Sequence, residues 1–591
     1  MEKISNTKKN IFNLFFILFI VVIFILLEVF LRIINFGINT EPFVKSNNIG
    51  NYIDNVYFVN KYYPYTKNII TSEGKNFFTE KKEKDTLRGF VVGGSTAQGF
   101  PYFTNQSFSK ITEISLKKAG KNVEIINLGF SAMSSYYVAD VSKKILKYEP
   151  DFLVIYSGHN EYYGTISKTT GGNYFTKKMY LFLKEFKLTQ LILGFFVKNK
   201  TYEKSLMQHQ FANRKIAKND KFDSEIATDF IKNIESIVKL YNKKNIPVII
   251  IEPISNLNDM PPFSGENDDL FKDFIKEYAK VLKSNNLAGI KAFYQKRLEN
   301  KDYDKNANIR FLDIFTKVLL KENVDIKEVM ETKDLDTIPF RARNILVEKL
   351  RNFGTSNKYK NLHYLNLFDA LFKEYGINIF SQNIFIDHLH FNMNGQMLVA
   401  KNLSKEIAKV FNIQNISPID EYFATKETVY QSIYFLDLYK TYIDLRISDL
   451  VSAPPYSEMI LPFKKPTFED SEILKIESIT KSSYENFNEL FNVLLDYYMK
   501  NSNYDMLSQY LLAYSFINPA DYHGFLNLGR FYKMIDKNQI CFNYYLVSYL
   551  LSDRNYDIYN EIIEFLKSQQ KDDIIKDFTK KYGKPKKRGN K

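Results

Sequence analysis

At 591 residues, with 45% hydrophobic side chains, the chain is long enough for more than one buried core. Its formal charge of +14 comes mostly from lysines scattered among Asn and Ile, with no arginine-rich run and no nucleic-acid motif, so the charge does not point to nucleic acid. Cys541 is the only cysteine, which excludes an intrachain disulfide and a cysteine-based zinc site.

Lys3, Lys8 and Lys9 precede an uncharged apolar run from Ile11 to Leu27, which resumes as Val29 to Leu31 after Glu28 and meets Arg32. This matches the ~20 residues a helix needs to span a bilayer. A cleaved signal peptide has a shorter core, ~7–15 residues, and a small-residue cleavage site; no Ala-x-Ala follows here. Residues 1–37 therefore read as an uncleaved signal-anchor in the cell membrane. The positive-inside tendency keeps the lysines cytoplasmic and places the bulk of the chain outside. Glu28 and Arg32, four apart, are spaced to pair on one helix face. Residues 38–87 read as a spacer or as small edge strands, with no visible chemistry.

Next comes an alternation of strands and helices. Phe90-Val91-Val92 forms a buried strand that runs into Gly93-Gly94-Ser95-Thr96, a sharp turn that leaves Ser95 at the carboxyl edge of a sheet. Asn105 to Ala119 reads as a helix with Phe108, Ile111, Thr112 and Ser115 on one face. Further strands are expected at Val123–Leu128, Phe152–Tyr156, Pro247–Ile251 and Tyr364–Leu367, with a helix from Ser134 to Tyr148. Such alternation argues for a mostly parallel sheet with helices on both faces. Ser95, Gly129 and Asn160 each follow a strand end, so they converge on one edge. Taken alone, Gly-Gly-Ser-Thr is equally an ordinary strand-to-helix turn. The last piece is Asp387-His388-Leu389-His390, ahead of an apolar helix near Gln396–Val410. An Asp three residues before a His can hold the imidazole Nδ1 and leave Nε2 free to take a proton from a serine.

Gly93-Gly94-Ser95, Gly129 in Asn-Leu-Gly-Phe-Ser, Gly158-His159-Asn160-Glu161 and Asp387-His388-Leu389-His390 resemble, in this order, the four blocks of the SGNH (GDSL-type) hydrolases. The resemblance covers about Arg88 to Asn412 and departs at two positions: Gly94 stands where the family has Asp before the serine, and Glu161 where it has Asp after the asparagine. It implies an α/β flavodoxin-like three-layer sandwich. It also implies a serine nucleophile, Ser95, with His390 as base and Asp387 orienting it, and an oxyanion hole from the Ser95 and Gly129 backbone N–H groups and the Asn160 amide. The scheme calls for no cofactor and no metal. His388 is a rival to His390, set aside because the Asp-x-x-His spacing selects His390, and Asp387, His388 and His390 also allow a metal-ligand reading.

The hydrolase-like region, 88–412, carries helical insertions near 165–225 and 256–351. The first is basic and aromatic and is a candidate cover for the site. The second holds a helix near Asp268–Leu282 and ends near Arg341 and Arg343. Either arginine near the pocket would grip an acidic substrate; a salt-bridged helix start is the competing reading. Residues 413–475 read as a connecting helix and a linker with Pro454, Pro455, Pro462 and Pro466. Residues 476–579 read as tetratricopeptide-like: Phe525, Leu528, Gly529, Tyr532, Cys541, Tyr545 and Ser548 fit the repeat, the period is 34, and Tyr556–Leu566 is the expected capping helix. An unrelated helical bundle is the alternative. Residues 580–591 are a basic tail.

Together these features lead to the expectation of a membrane-anchored esterase that hydrolyses or transfers an O-acyl group, O-acetyl on an envelope glycan by family habit, with a protein partner for the repeats. The rival is a non-catalytic glycan-binding assembly protein whose repeats recruit that partner.

Overall fold

A computed structural model of the chain describes residues 6–46, 50–63, 76–196, 215–284, 286–464, 487–583 and 585. Lys3, Pro466 and most of the basic tail lie outside the described residues.

Helix α1 spans Asn6–Ile33, and its window Asn10–Ile33 is the one helix among the described residues long and apolar enough to cross a membrane. Nearly all of its large side chains are exposed. Arg32 Nε donates to Glu28 Oε1 at 2.8 Å, the pair that their spacing predicts. The 38–87 region forms a small antiparallel sheet of β1 (Phe43–Lys45), β2 (Asn51–Asp54) and β3 (Phe77–Thr79).

The second sheet holds β4 (Leu87–Gly93), β5 (Val123–Gly129), β6 (Phe152–Tyr156), β7 (Val248–Ile251) and β8 (Leu362–Leu365). Its order is β5-β4-β6-β7-β8 and every pairing is parallel. This is the flavodoxin-like order, with the switch point between the carboxyl ends of β4 and its two neighbours. Alternate strand residues go to opposite faces. Val91, Val154, Ile249 and Ile251 join one core, while Phe90, Val92, Leu153, Ile155, Val248 and Ile250 join the other.

The first core lies under α3 (Phe108–Lys118), which turns Phe108, Ile111, Thr112 and Ser115 inward as its periodicity predicts. The second lies under α4 (Ser135–Ile145) and a later helix, α7 (Asp220–Asn242). The short α2 (Ser95–Gln98) starts where β4 ends. Between β6 and α7 the chain forms α5 (Tyr174–Leu183) and α6 (Lys187–Phe196). The second insertion forms helices at Asp268–Lys283, Leu287–Glu299, Ala307–Leu319, Ile326–Asp334 and Asn344–Gly354. Helix α8 (Met393–Val410) packs beside α3.

The connection after α8 is helical as expected, but holds three helices in place of one connecting helix. It forms two short helices, Ser417–Tyr422 and Lys426–Ser432, then α9 (Asp437–Val451). Ile419, Tyr422, Leu438, Tyr439, Ile443 and Ile447 are buried in the same core as α3. The expected linker around Pro454 and Pro455 is partly core as well, because Tyr456 and Met459 are buried.

The carboxyl-terminal region is six helices: α10 (Phe487–Lys500), α11 (Tyr504–Ile517), α12 (Tyr522–Met534), α13 (Asn538–Leu551), α14 (Tyr556–Ser568) and α15 (Asp572–Tyr582). Helices α11, α13 and α15 start at Tyr504, Asn538 and Asp572, each 34 residues after the last. Leu528, Cys541, Tyr545 and Ser548 are buried, and Gly529 faces the Tyr545 ring. The expected single capping helix at Tyr556 is instead the first member of a third pair. The array docks on the α/β domain: Asn105 Nδ2 donates to the Phe516 and Ile517 carbonyls at 3.1 and 3.3 Å, and the Phe103 and Phe487 rings lie 4.9 Å apart.

Candidate active site

Four loops at the carboxyl edge of the sheet build the site. Ser95 opens α2 directly after β4. Its Oγ lies 2.7 Å from His390 Nε2. His390 Nδ1 lies 2.6 Å from Asp387 Oδ2. The other carboxylate oxygen, Oδ1, accepts the backbone N–H groups of Leu389 and His390 at 2.9 and 2.8 Å. Asp387 is thus fixed by the turn it opens. Burial alone would raise its pKa, but the imidazoles of His390 and His388 outweigh that and hold the carboxyl well below the usual range. It stays ionised and keeps the proton on His390 Nδ1, so Nε2 can accept from the serine. The Phe100 ring lies against His390 with centroids 4.8 Å apart, and the Arg446 guanidinium of α9 sits 4.9 Å above Phe100.

Asn160 and the two glycine positions behave differently. A Cβ on Gly94 would sit 2.3 Å from Asn160 Nδ2, so the missing side chain lets that amide lie against the nucleophile turn. This gives the departure from Asp a geometric meaning. A Cβ on Gly129 would sit 2.2 Å from the Gln98 backbone nitrogen, so α2 can pack on β5 only if residue 129 is glycine. The expected role of the Gly129 N–H in the oxyanion hole does not hold, because that N–H donates to Asn127 Oδ1 at 2.7 Å. Three residues on, Ala132 adopts φ +63°, a conformation its side chain resists, and its carbonyl accepts from Thr165 N–H at 2.9 Å. A non-glycine residue held there marks a constrained turn that no sequence pattern revealed.

Glu161 is spent on structure. Its carboxylate accepts the backbone N–H and the hydroxyl of Ser135, both at 2.8 Å, at the start of α4. Burial pushes its pKa up to about 7. His159 beside it is buried, its Nδ1 accepts from Ala342 N–H at 3.2 Å, and burial pulls its pKa down to about 3.

Arg341 and Arg343 are not presented as a substrate grip. Both guanidiniums are buried. Arg341 Nη1 donates to the Asn256 and Met260 carbonyls at 2.9 and 3.1 Å, and Nη2 to Asp336 at 3.4 Å. Arg343 Nη1 donates to Asp223 at 2.7 Å, and Nη2 to the Ile216 and Asp336 carbonyls at 2.7 and 3.2 Å. Arg341 instead braces the Asp387–His390 loop through Asn256, whose backbone N–H and side-chain amide donate to the His388 and Asp387 carbonyls at 3.0 and 3.3 Å.

His388 has a partner that sequence reading missed. Its Nδ1 lies 2.6 Å from the Tyr456 hydroxyl, and Phe263 packs on both rings with centroids 5.3 and 4.9 Å away. Tyr456 belongs to the segment that resembled a linker. Ligand atoms of Asp387, His388 and His390, the residues of the metal-ligand reading, do lie within 4.8 Å of one another. They are already engaged with Ser95, with Tyr456 and with each other.

No protein-family model matches the sequence, and no curated protein matches it. Solved structures do. A GDSL-like lipase from Bacteroides thetaiotaomicron matches over 56% of this chain and 92% of its own at 10% identity, TM-score 0.27. A lipase/acylhydrolase from Enterococcus faecalis matches over 55% and 96% at 14% identity, TM-score 0.26. A two-domain esterase active on acetylated mannans, crystallised with mannopentaose, matches over 55% and 50% at 12% identity, TM-score 0.24. The α/β domain shares with the expected fold its sheet order, with Ser95, Gly129 and Asn160 at the carboxyl edge.

Proposed function

We propose that the protein is a serine esterase that works through Ser95, His390 and Asp387. The observation that carries this reading is the unbroken path from Ser95 Oγ to His390 Nε2, at 2.7 Å, and from His390 Nδ1 to Asp387, at 2.6 Å. Distances of this kind are those of a working nucleophile and base.

Ser95 Oγ attacks the ester carbonyl carbon while its proton passes to His390 Nε2. The carbonyl π bond becomes the oxyanion. The oxyanion faces the Asn160 amide and the Ser95 N–H at the start of α2. Collapse of the intermediate breaks the C–O bond, and the leaving alcohol takes the proton from His390. A water, or a sugar hydroxyl in a transferase, then attacks the acyl-serine by the same route. The acyl group is assigned as O-acetyl on an envelope glycan, a reading that rests on the expected location. Helix α1 anchors the chain, with the α/β domain and the helical array on the outer side. The 34-residue period of α11, α13 and α15 supports a tetratricopeptide array that holds a protein partner.

The test is labelling of the detergent-solubilised full chain with a fluorophosphonate, followed by peptide mass spectrometry, alongside p-nitrophenyl acetate turnover. The expected outcome is a label on Ser95, and loss of both label and turnover in Ser95→Ala. A folded protein that neither labels nor turns over, yet binds glycan, would establish the assembly role instead.

A further inference from the structure

Helix α5 is built inside out. Phe175, Met179, Phe182 and Leu183 fall at i, i+4, i+7 and i+8, the spacing of an apolar stripe that a soluble protein turns inward. Here the stripe faces outward: Phe175 and Phe182 are 70% and 61% exposed, while the buried side chains of the helix are Lys177 and Leu181. Phe186 continues the stripe across the elbow. In α6, Ile192 is exposed, and Phe195 and Phe196 are 79% and 78% exposed. Scattered exposed apolar side chains are ordinary, but a contiguous set marks an interaction surface.

This surface is continuous with α1. The Glu28 carboxylate of α1 accepts the first two N–H groups of α6, from Lys187 at 3.0 Å and Leu188 at 2.8 Å. Arg32 donates to the Glu185 carbonyl at 3.2 Å, and Lys187 Nζ to the Ile38 carbonyl at 2.6 Å. The elbow is also bolted to the α/β domain. Glu185 pairs with Lys144 at 2.7 Å and with the fully buried Lys61, which reaches Asp140 of α4 at 2.5 Å. Around the stripe, Lys178 and Lys184 lie over the rings of Tyr174 and Tyr180, at 4.8 and 5.7 Å. Amphipathic side chains of this kind suit a boundary between acyl chains and head groups.

From this continuity we infer that α5 and α6 form a second membrane contact, a hairpin that inserts its phenylalanines into the outer leaflet beside α1. The inference rests on reading α1 as the anchor and goes beyond it. A lone anchor leaves the domain swinging on a tether, whereas the hairpin fixes the face that the α/β domain turns to the bilayer.

The experiment places single cysteines at Phe182, Phe195, Phe19 and Tyr504 in the full chain, whose own Cys541 is buried. Each variant is labelled with an NBD fluorophore and reconstituted in equimolar phosphatidylcholine–phosphatidylglycerol vesicles. Doxyl lipids spin-labelled near the head group or near the acyl-chain end act as quenchers. The inference expects quenching at 182 and 195, strongest with the head-group-proximal label. It expects quenching at 19 by the deep label, and none at 504. Quenching at 19 without quenching at 182 and 195 overturns the hairpin while the anchor stands, and leaves a second copy or a protein partner as occupant of the stripe. Absence of quenching at 19 and at both hairpin sites overturns the anchor and the hairpin together.

Discussion

The loop that carries Asp387 and His390 and the segment that carries Tyr456 meet at neighbouring imidazoles, yet they reach them in opposite ways. The loop is self-contained. Asp387 accepts two N–H groups from its own turn and the imidazole three residues on. The segment contributes one hydroxyl from 68 residues away, held in place by Phe263. A local motif can be found by its spacing, while a distant contact depends on how two apolar cores close. The geometry around Ser95 therefore has an inner layer legible from the chain and an outer layer supplied by residues 413–464.

Removing a group from the inner layer should have the larger effect. Asn160→Ala deletes the amide that lies against Gly94, and turnover should fall by about 10²–10³ with little change in KM, the loss typical of one oxyanion donor. Steady-state kinetics on p-nitrophenyl acetate checks it. An Asn160→Ala protein with unchanged kcat would remove Asn160 from the reaction.

Tyr456→Phe probes the outer layer. The buried phenol stays protonated, because burial raises its pKa well above the ordinary value. Its hydroxyl shares a hydrogen bond of 2.6 Å with His388 Nδ1. Without that hydroxyl, Asp387 Oδ1, 3.4 Å away, is the partner left to Nδ1. There it competes with His390 for the carboxylate. The expected cost in kcat is about tenfold, roughly the worth of one hydrogen bond. KM should hold, and the acid limb of the pH–rate profile should move. A purely structural role would lower the thermal midpoint and leave the pH profile in place.

What was legible follows the same division. Four strands of the main sheet were readable because each is a short apolar run closed by a turn residue; the fifth, expected at Tyr364–Leu367, spans Leu362–Leu365 and carries His363, and Leu367 instead starts a helix. The approach of Ser95, Asp387 and His390 was readable because block spacing does not depend on tertiary contacts. The reading failed where a signal was shared by two uses. Gly129 has the right residue type for a close approach, and it is needed, but for packing on α2 rather than for its N–H. Arg341 and Arg343 have the chemistry to grip an anion, but their nearest acceptors are internal carbonyls and carboxylates. Tyr456 follows a Pro-Pro pair, the pattern of a spacer, and only the burial of Tyr439, Ile443 and Ile447 shows that the segment is core.

The smallest effect expected is on pH dependence, and it separates two neighbours on the inner edge that do no proton transfer. Glu161 has a folded pKa of about 7 against an ordinary 4.5, so between these values the folded state holds a proton that the unfolded state has released. Stability from this group falls as pH rises through that window. His159 has a folded pKa of about 3 against an ordinary 6.5, so the folded state binds fewer protons there and stability rises with pH up to about 6.5. The two slopes oppose each other between about pH 4.5 and 6.5. Glu161→Gln keeps an acceptor for Ser135 N–H and deletes only the falling slope. The midpoint of the variant minus that of the wild type should therefore climb as pH rises from about 4.5 to 7. Ester turnover per folded molecule should not change. A variant whose curve stays parallel to the wild type would mean that Glu161 is ionised when folded, with the Ser135 N–H and hydroxyl outweighing its burial.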